Sequence, residues 1–264
     1  MSAGNGGWEL PISEGELSRL TRELDEAHRE YLPAMHAAAA DLTEEVRASR
    51  RRFLMGTGAV AAGLALAACS SNSTKSTAGA ASSSAGAASA SATASSMYTG
   101  DLQVVALATA LENQAVGAYG AALTAAKAGK LGAVPPAVAT FATTAMSQHA
   151  DHAKAWNAVL TGAGKPAITT VPLSNQPATL KALGAVTDVG GVAKLALMLE
   201  NQAAQTYLFA TYNVTSPAGI ATAASIAPVE AMHAAILNFV LGQYPVPDDF
   251  LPVDKAASPT LLTV

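Results

Sequence analysis

The chain has a single cysteine, few aromatic residues and, beyond Arg52, no arginine at all. One cysteine, Cys69, excludes an internal disulfide framework and a cysteine-rich zinc site. Aromatic residues make up 5% of the chain and charged residues 13%, with alanine abundant in their place. That composition favours helices over sheet. All seven arginines stand at or before Arg52, and after Cys69 eight lysines face nine acids. The later part is therefore close to neutral and offers no basic patch, which argues against nucleic-acid binding. What remains is a chain of 264 residues, half of them apolar, long enough for one good core.

Charge is concentrated ahead of residue 53. Ser49-Arg50-Arg51-Arg52 opens an uncharged run, Phe53 to Ala68, that ends Leu66-Ala67-Ala68-Cys69. A basic stretch, a short apolar core and small residues before a cut are what an export signal needs. The run resembles a twin-arginine signal, read at Arg50 and Arg51, joined to a lipobox with Cys69 as the lipidated residue. As a membrane anchor it would be short, since about 20 residues are needed to span. Residues 1–48 form an unusually long extension before the signal. Leu17, Leu20, Leu24 and Tyr31 recur at helical spacing among charges, so Ile12 to Leu32 is expected to be an amphipathic helix. Two readings stand for it: a cytoplasmic docking element, or translation that truly begins at Met35. His28 and His36 are given no chemistry. Residues 70–99 read as a tether, because Ser70 to Ser96 is Ser, Ala, Gly or Thr except at Asn72 and Lys75 and has too little apolar surface to order itself.

Residues 100–243 divide into four helical stretches, expected at about 101–130, 135–161, 192–212 and 218–241. Asp101 is the expected N-cap of the first, and Pro135-Pro136 begins the second. Pro228 is expected to kink or break the fourth. Short connections make two antiparallel hairpins, and a long crossover rich in proline joins them, with a short helix expected near Pro177 to Leu183. The all-α class follows. The hairpins also repeat: Leu111-Glu112-Asn113-Gln114-Ala115 returns as Leu199-Glu200-Asn201-Gln202-Ala203, with Tyr119 and Tyr207 at the same offset. The tail, 244–264, holds Pro245, Pro247 and Pro252 and does not read as a fifth helix.

After Cys69 the chain holds three glutamates and three histidines: Glu112, His149, His152, Glu200, Glu230 and His233. All six fall on repeat-equivalent positions. Glu230 and His233, like His149 and His152, are three apart and share a helix face. Carboxylate oxygens with an imidazole on each ion suit a pair of divalent metals. A buried carboxylate in the apolar surroundings of Glu112 or Glu230 is costly unless it is paired or metal-bound. The bland alternative is a polar network without metal. Gln148 and Asp151 are expected to point away from the histidine face.

On these residues the chain resembles the ferritin-like superfamily, especially secreted members behind twin-arginine signals. The resemblance implies a ferritin-like four-helix bundle with a di-metal centre, of iron, or else manganese or zinc. It implies as ligands Glu112, His152, Glu200, Glu230 and His233. His149 stands where the family usually has glutamate. Tyr119 and Tyr207 are expected beside the ligands, as core packing or as hydrogen-bond partners. The expected protein is exported, tethered by lipid to the outer face of the cytoplasmic membrane, and engages the twin-arginine machinery and metal ions. An oxidase or peroxide-linked activity is one expectation. A non-enzymatic envelope or stress-protection role is the other.

Overall fold

The computed structural model describes residues 9–67, 97–248 and 251–264, with side chains at all of these except 50–67. Cys69 and most of the expected tether lie outside the described residues, as do the side chains of Arg50 and Arg51. Six α-helices follow in order: α1 Glu14–Ala67, α2 Asp101–Lys127, α3 Pro136–Gly162, α4 Gln176–Ala185, α5 Val189–Asn213 and α6 Pro217–Val240. A 3-10 turn, Pro259–Leu261, lies in the tail. Among the described residues there is no strand, only an isolated antiparallel bridge between Leu173 and Leu262.

Local chemistry sets the helix ends. Asp188 caps α5 by accepting from Gly191 N at 2.7 Å, and Ser216 caps α6 by accepting from Gly219 N at 3.0 Å. Pro136 and Pro217 stand in first turns, where a missing N–H costs nothing. Gly129, Gly164 and Gly242 take left-handed φ of about 70° just past α2, α3 and α6. Asp101 does not cap α2, whose N-cap is Gly100 at φ 58°. Its carboxylate accepts instead from Thr215 N and Ser216 N, at 3.1 and 2.8 Å, and so joins the start of α2 to the α5–α6 turn. Proline does not break α6. Pro228 and Ala224, whose carbonyl loses its partner, both lie on the exposed side, where solvent can reach the freed carbonyl.

Helices α2 with α3 and α5 with α6 form the two hairpins, and α2 also meets α5 across the bundle. The crossover between hairpins carries α4, as expected. Asn113 donates to the carbonyls of Ile168 and Thr170, and Asn157 exchanges two hydrogen bonds with Ile168. The tail returns over the second hairpin, with Lys255 N and Ala257 N held by Gln205 and Thr206 at 2.7 Å. It then reaches the crossover, where Ser174 N donates to the Leu261 carbonyl. Packing extends ahead of the expected bundle edge, because Tyr98 is buried and Lys165 holds the Met97 carbonyl. Helix α6 is long and apolar enough to cross a membrane by composition, yet more than half of its apolar window is buried inside the bundle.

The larger surprise is α1. It is longer than the amphipathic helix expected from sequence, continues through Pro33, and packs along both α3 and α6. Its Leu17, Leu24, Met35 and Leu42 are in the core.

Candidate metal centre

The repeat dictates how the site assembles. Each hairpin contributes one glutamate from its first helix and an i, i+3 pair from its second. Glu112 comes from α2, His149 and His152 from α3, Glu200 from α5, and Glu230 and His233 from α6. All six side chains are at most 1% exposed.

Their ligand atoms form two overlapping groups. Glu112, His149, His152 and Glu230 make the first, and His149, Glu200, Glu230 and His233 the second. Within each, one ligand atom per residue lies within 4.8 Å of all the others. His149 and Glu230 belong to both. The Glu230 carboxylate has Oε1 2.9 Å from His152 Nδ1 and Oε2 3.5 Å from both His149 Nδ1 and His233 Nδ1. His149 faces both sides, with Nδ1 2.7 Å from Glu112 and Nε2 3.1 Å from Glu200.

The surroundings hold these groups in place. Tyr119 donates to Glu200 at 2.5 Å and Tyr207 donates to Glu112, so the tyrosine of each hairpin steadies the carboxylate of the other. Trp156 in turn donates to the Tyr207 hydroxyl. Gln148, expected to point away, is buried and accepts from His233 Nε2 at 2.8 Å. It lies four residues from His152 and therefore on the same helix face. With Nε2 donating to Gln148, His233 turns Nδ1 to the carboxylates, 3.2 Å from Glu200, the way an outer partner orients a ligating imidazole.

Electrostatics follow from burial opposed by pairing. Burial by itself would raise the Glu112 carboxyl, but His152 and His149 outweigh it and hold Glu112 down at about 2. Burial would likewise depress His152, yet Glu112 and Glu230 raise it to about 9. The same contest leaves His149 well above its ordinary value and Glu200 well below. Metal-free, Glu112 and Glu200 are thus carboxylates offset by the raised imidazoles around them.

A stability profile follows for the metal-free chain. The raised His152 contributes fully below its unfolded value near 6.5, and that contribution is lost as pH climbs through about 9. The lowered Glu112 contributes fully above its unfolded value near 4.5 and loses it as pH falls toward about 2. His28, held down at about 4 by burial, resists protonation in the fold and so adds stability as pH rises from about 4 to about 6.5. Thermal melts of chelator-treated protein should therefore peak near about pH 6.5. A melting point that rises steadily from pH 6 to 9 would contradict this arrangement.

The donor set fits divalent ions. Both oxygens of Glu230 and Nδ1 of His152 are buried and satisfy no hydrogen bond, although Glu230 Oε1 stands 2.9 Å from His152 Nδ1. Buried polar atoms that converge without bonding suit a shared ion better than each other.

One further histidine, given no chemistry from its place in the sequence, stands beside the site. His28, on α1, is 4% exposed, and its ring centroid lies 5.3 Å from that of His152. Burial first, and then the neighbouring His152, lower its pKa to about 4. A signal existed in the heptad spacing of Thr21, His28, Met35 and Leu42, all of them buried.

Residues 100–243 match the family model of the ferritin-like domain. Comparison with curated proteins gives no match, and comparison with solved structures gives none.

Proposed function

The chain belongs to the ferritin-like domain family, and from that premise we propose that it is an exported, membrane-tethered protein whose bundle holds two metal ions. The carrying observation is the pair of four-residue groups that share His149 and Glu230. One ion would be held by Glu112, His152 and Glu230, the other by Glu200, His233 and Glu230, with His149 available to either. Iron is the first choice because this family often binds it; manganese and zinc suit the same donors. Bound iron or manganese would supply Lewis acidity and one-electron chemistry toward an oxidant such as dioxygen or peroxide. The protein's own part is to hold the ions in a dry site, keep Glu112 and Glu200 oriented through Tyr207 and Tyr119 and ionised through the neighbouring imidazoles, and take up or release protons at its histidines.

His149 tempers that chemistry. Three carboxylates offset less positive charge than four, so the centre favours divalent over ferric ions. Export rests on the sequence around Arg50, Arg51 and Cys69 and on the Ser/Ala-rich stretch that follows. It would place the bundle on the outer face of the cytoplasmic membrane, by way of the twin-arginine machinery.

One observation favours a second reading, a non-enzymatic envelope or stress-protection protein. Three carboxylates and three imidazoles balance without any metal. Two measurements separate the readings. Titration of the metal-free chain with Mn2+ at pH 7 should release protons, because His152 is protonated until about pH 9. Calorimetry in two buffers of different ionisation enthalpy measures that release. Saturating Mn2+ at a hundred times its Kd should also stabilise the fold by about 2.7 kcal/mol, and the gain should vanish in Glu200→Gln. No proton release and no change in melting on chelation would favour the metal-free network.

A further inference from the structure

The two open sides of the bundle are closed differently. Helices α2 and α5 approach each other directly, whereas the backbones of α3 and α6 stand apart and α1 lies between them, packed along both. These are the helices that carry His149, His152, Glu230 and His233. We propose that α1 is a separable wall of the metal centre: it seals the trough between α3 and α6 through which ions reach His152 and Glu230, and export withdraws it. This rests on the metal-binding reading above and, for the withdrawal, on export.

The fit of α1 is close from Glu14 to Arg47. Glu14 accepts from Ala137 N at 3.3 Å near one end. Near the other, Arg47 donates to the Gly162 carbonyl at 3.0 Å and Ser216 donates to Glu45. Gly162 is needed there, because a Cβ would come within 2.2 Å of the Thr43 methyl. Midway, His28 faces His152, and its buried Nε2 has no hydrogen-bond partner. An unpartnered imidazole in a core stripe is costly, and among the described side chains that α1 buries it is the one histidine, beside the ligand it covers. His28 is the inner face of the wall.

The same helix that seals the bundle runs on to Ala67, into the apolar run of the signal. A chain threaded through a membrane at that run has residues 14–49 on one side and 100–243 on the other. The packed and exported states therefore exclude each other. Before export the site is closed and its ions are retained; afterwards the trough is open to solutes outside.

The test uses the full chain with Cys69→Ser and a disulfide lock, Thr43→Cys with Gly162→Cys. The Cβ of Thr43 lies 3.4 Å from a Cβ built on Gly162, close to the ~3.5–4.5 Å that a disulfide spans. A second variant, Leu17→Asp with Leu42→Asp, loosens α1. Two readouts apply: the rate of Co2+ uptake by metal-free protein, and carbethoxylation of His149 and His152 by diethylpyrocarbonate, with exposed His36 as internal reference. The oxidised lock should slow both by at least about tenfold against its reduced form, and the loosened variant should speed both by a similar factor. Equal rates in locked, reduced and loosened protein would overturn the proposal. If histidine protection follows the lock while Co2+ binds no form, the wall stands and the metal reading falls. Should the loosened variant fail to fold by circular dichroism, the oxidised and reduced lock decide alone.

Discussion

Glu230→Gln should reduce metal affinity on the order of a hundredfold or more and leave at most one ion bound. Changing even an outer partner of a ligand costs about 10- to 100-fold, and Glu230 is the carboxylate common to both ligand groups. Its two oxygens reach toward His152, His149 and His233 at 2.9 to 3.5 Å. An amide presents one oxygen and one NH2, so it cannot bridge, and its donor end meets imidazoles that are themselves donors when protonated. The metal-free protein should lose stability as well, by about 3 kcal/mol, because a buried ion pair loses one partner. Isothermal titration with Mn2+ and thermal melting check the two effects separately. Two tightly bound ions in the variant would show that Glu230 is not needed to hold both.

His149→Glu should act in the opposite sense on metal and in the same sense on the bare fold. It places a fourth carboxylate among Glu112, Glu200 and Glu230, from which His149 now stands 2.7, 3.1 and 3.5 Å away. Without metal, four buried acids face two imidazoles. At pH 7 this should cost about 3–5 kcal/mol, since charge is left uncompensated. Part of that should return as pH falls to 5, because crowded carboxyls protonate early. With metal the variant should be rescued, and the rise in melting temperature on adding Mn2+ or Fe2+ should exceed that of the natural chain. A variant as stable as the natural protein in chelator would mean that the imidazolium of His149 does not hold the centre together. Together the two substitutions ask whether this site is a metal centre softened by one histidine or a salt-bridge network that resembles one.

Much of the site was legible along the chain for a physical reason. Helical geometry places residues three apart on one face, so Glu230 with His233 and His149 with His152 could be paired without coordinates. The offset that relates Glu112 to Glu200 also relates their tyrosines, and duplicated hairpins bring duplicated positions to a common axis. The same geometry covers Gln148, which was expected to point away: it adjoins His149 but stands four residues from His152, and that spacing brings it to the histidine face. Asp101 looked like a cap because the residue type and place are right. The tertiary approach of the α5–α6 turn gave its carboxylate better donors in Thr215 and Ser216.

The sequence by itself determined the helices, the two hairpins, the crossover and the six polar residues, since each is written in local spacing or in repetition. It also set the charge balance of three carboxylates against three imidazoles. Only the tertiary structure decided that Tyr119 and Tyr207 cross between hairpins, that His149 and Glu230 are the shared pair, and that α1 closes the α3–α6 side with His28 on His152. Those facts depend on which faces meet across long stretches of chain. An amphipathic stripe states that a helix needs a partner, and nothing in its spacing names the partner.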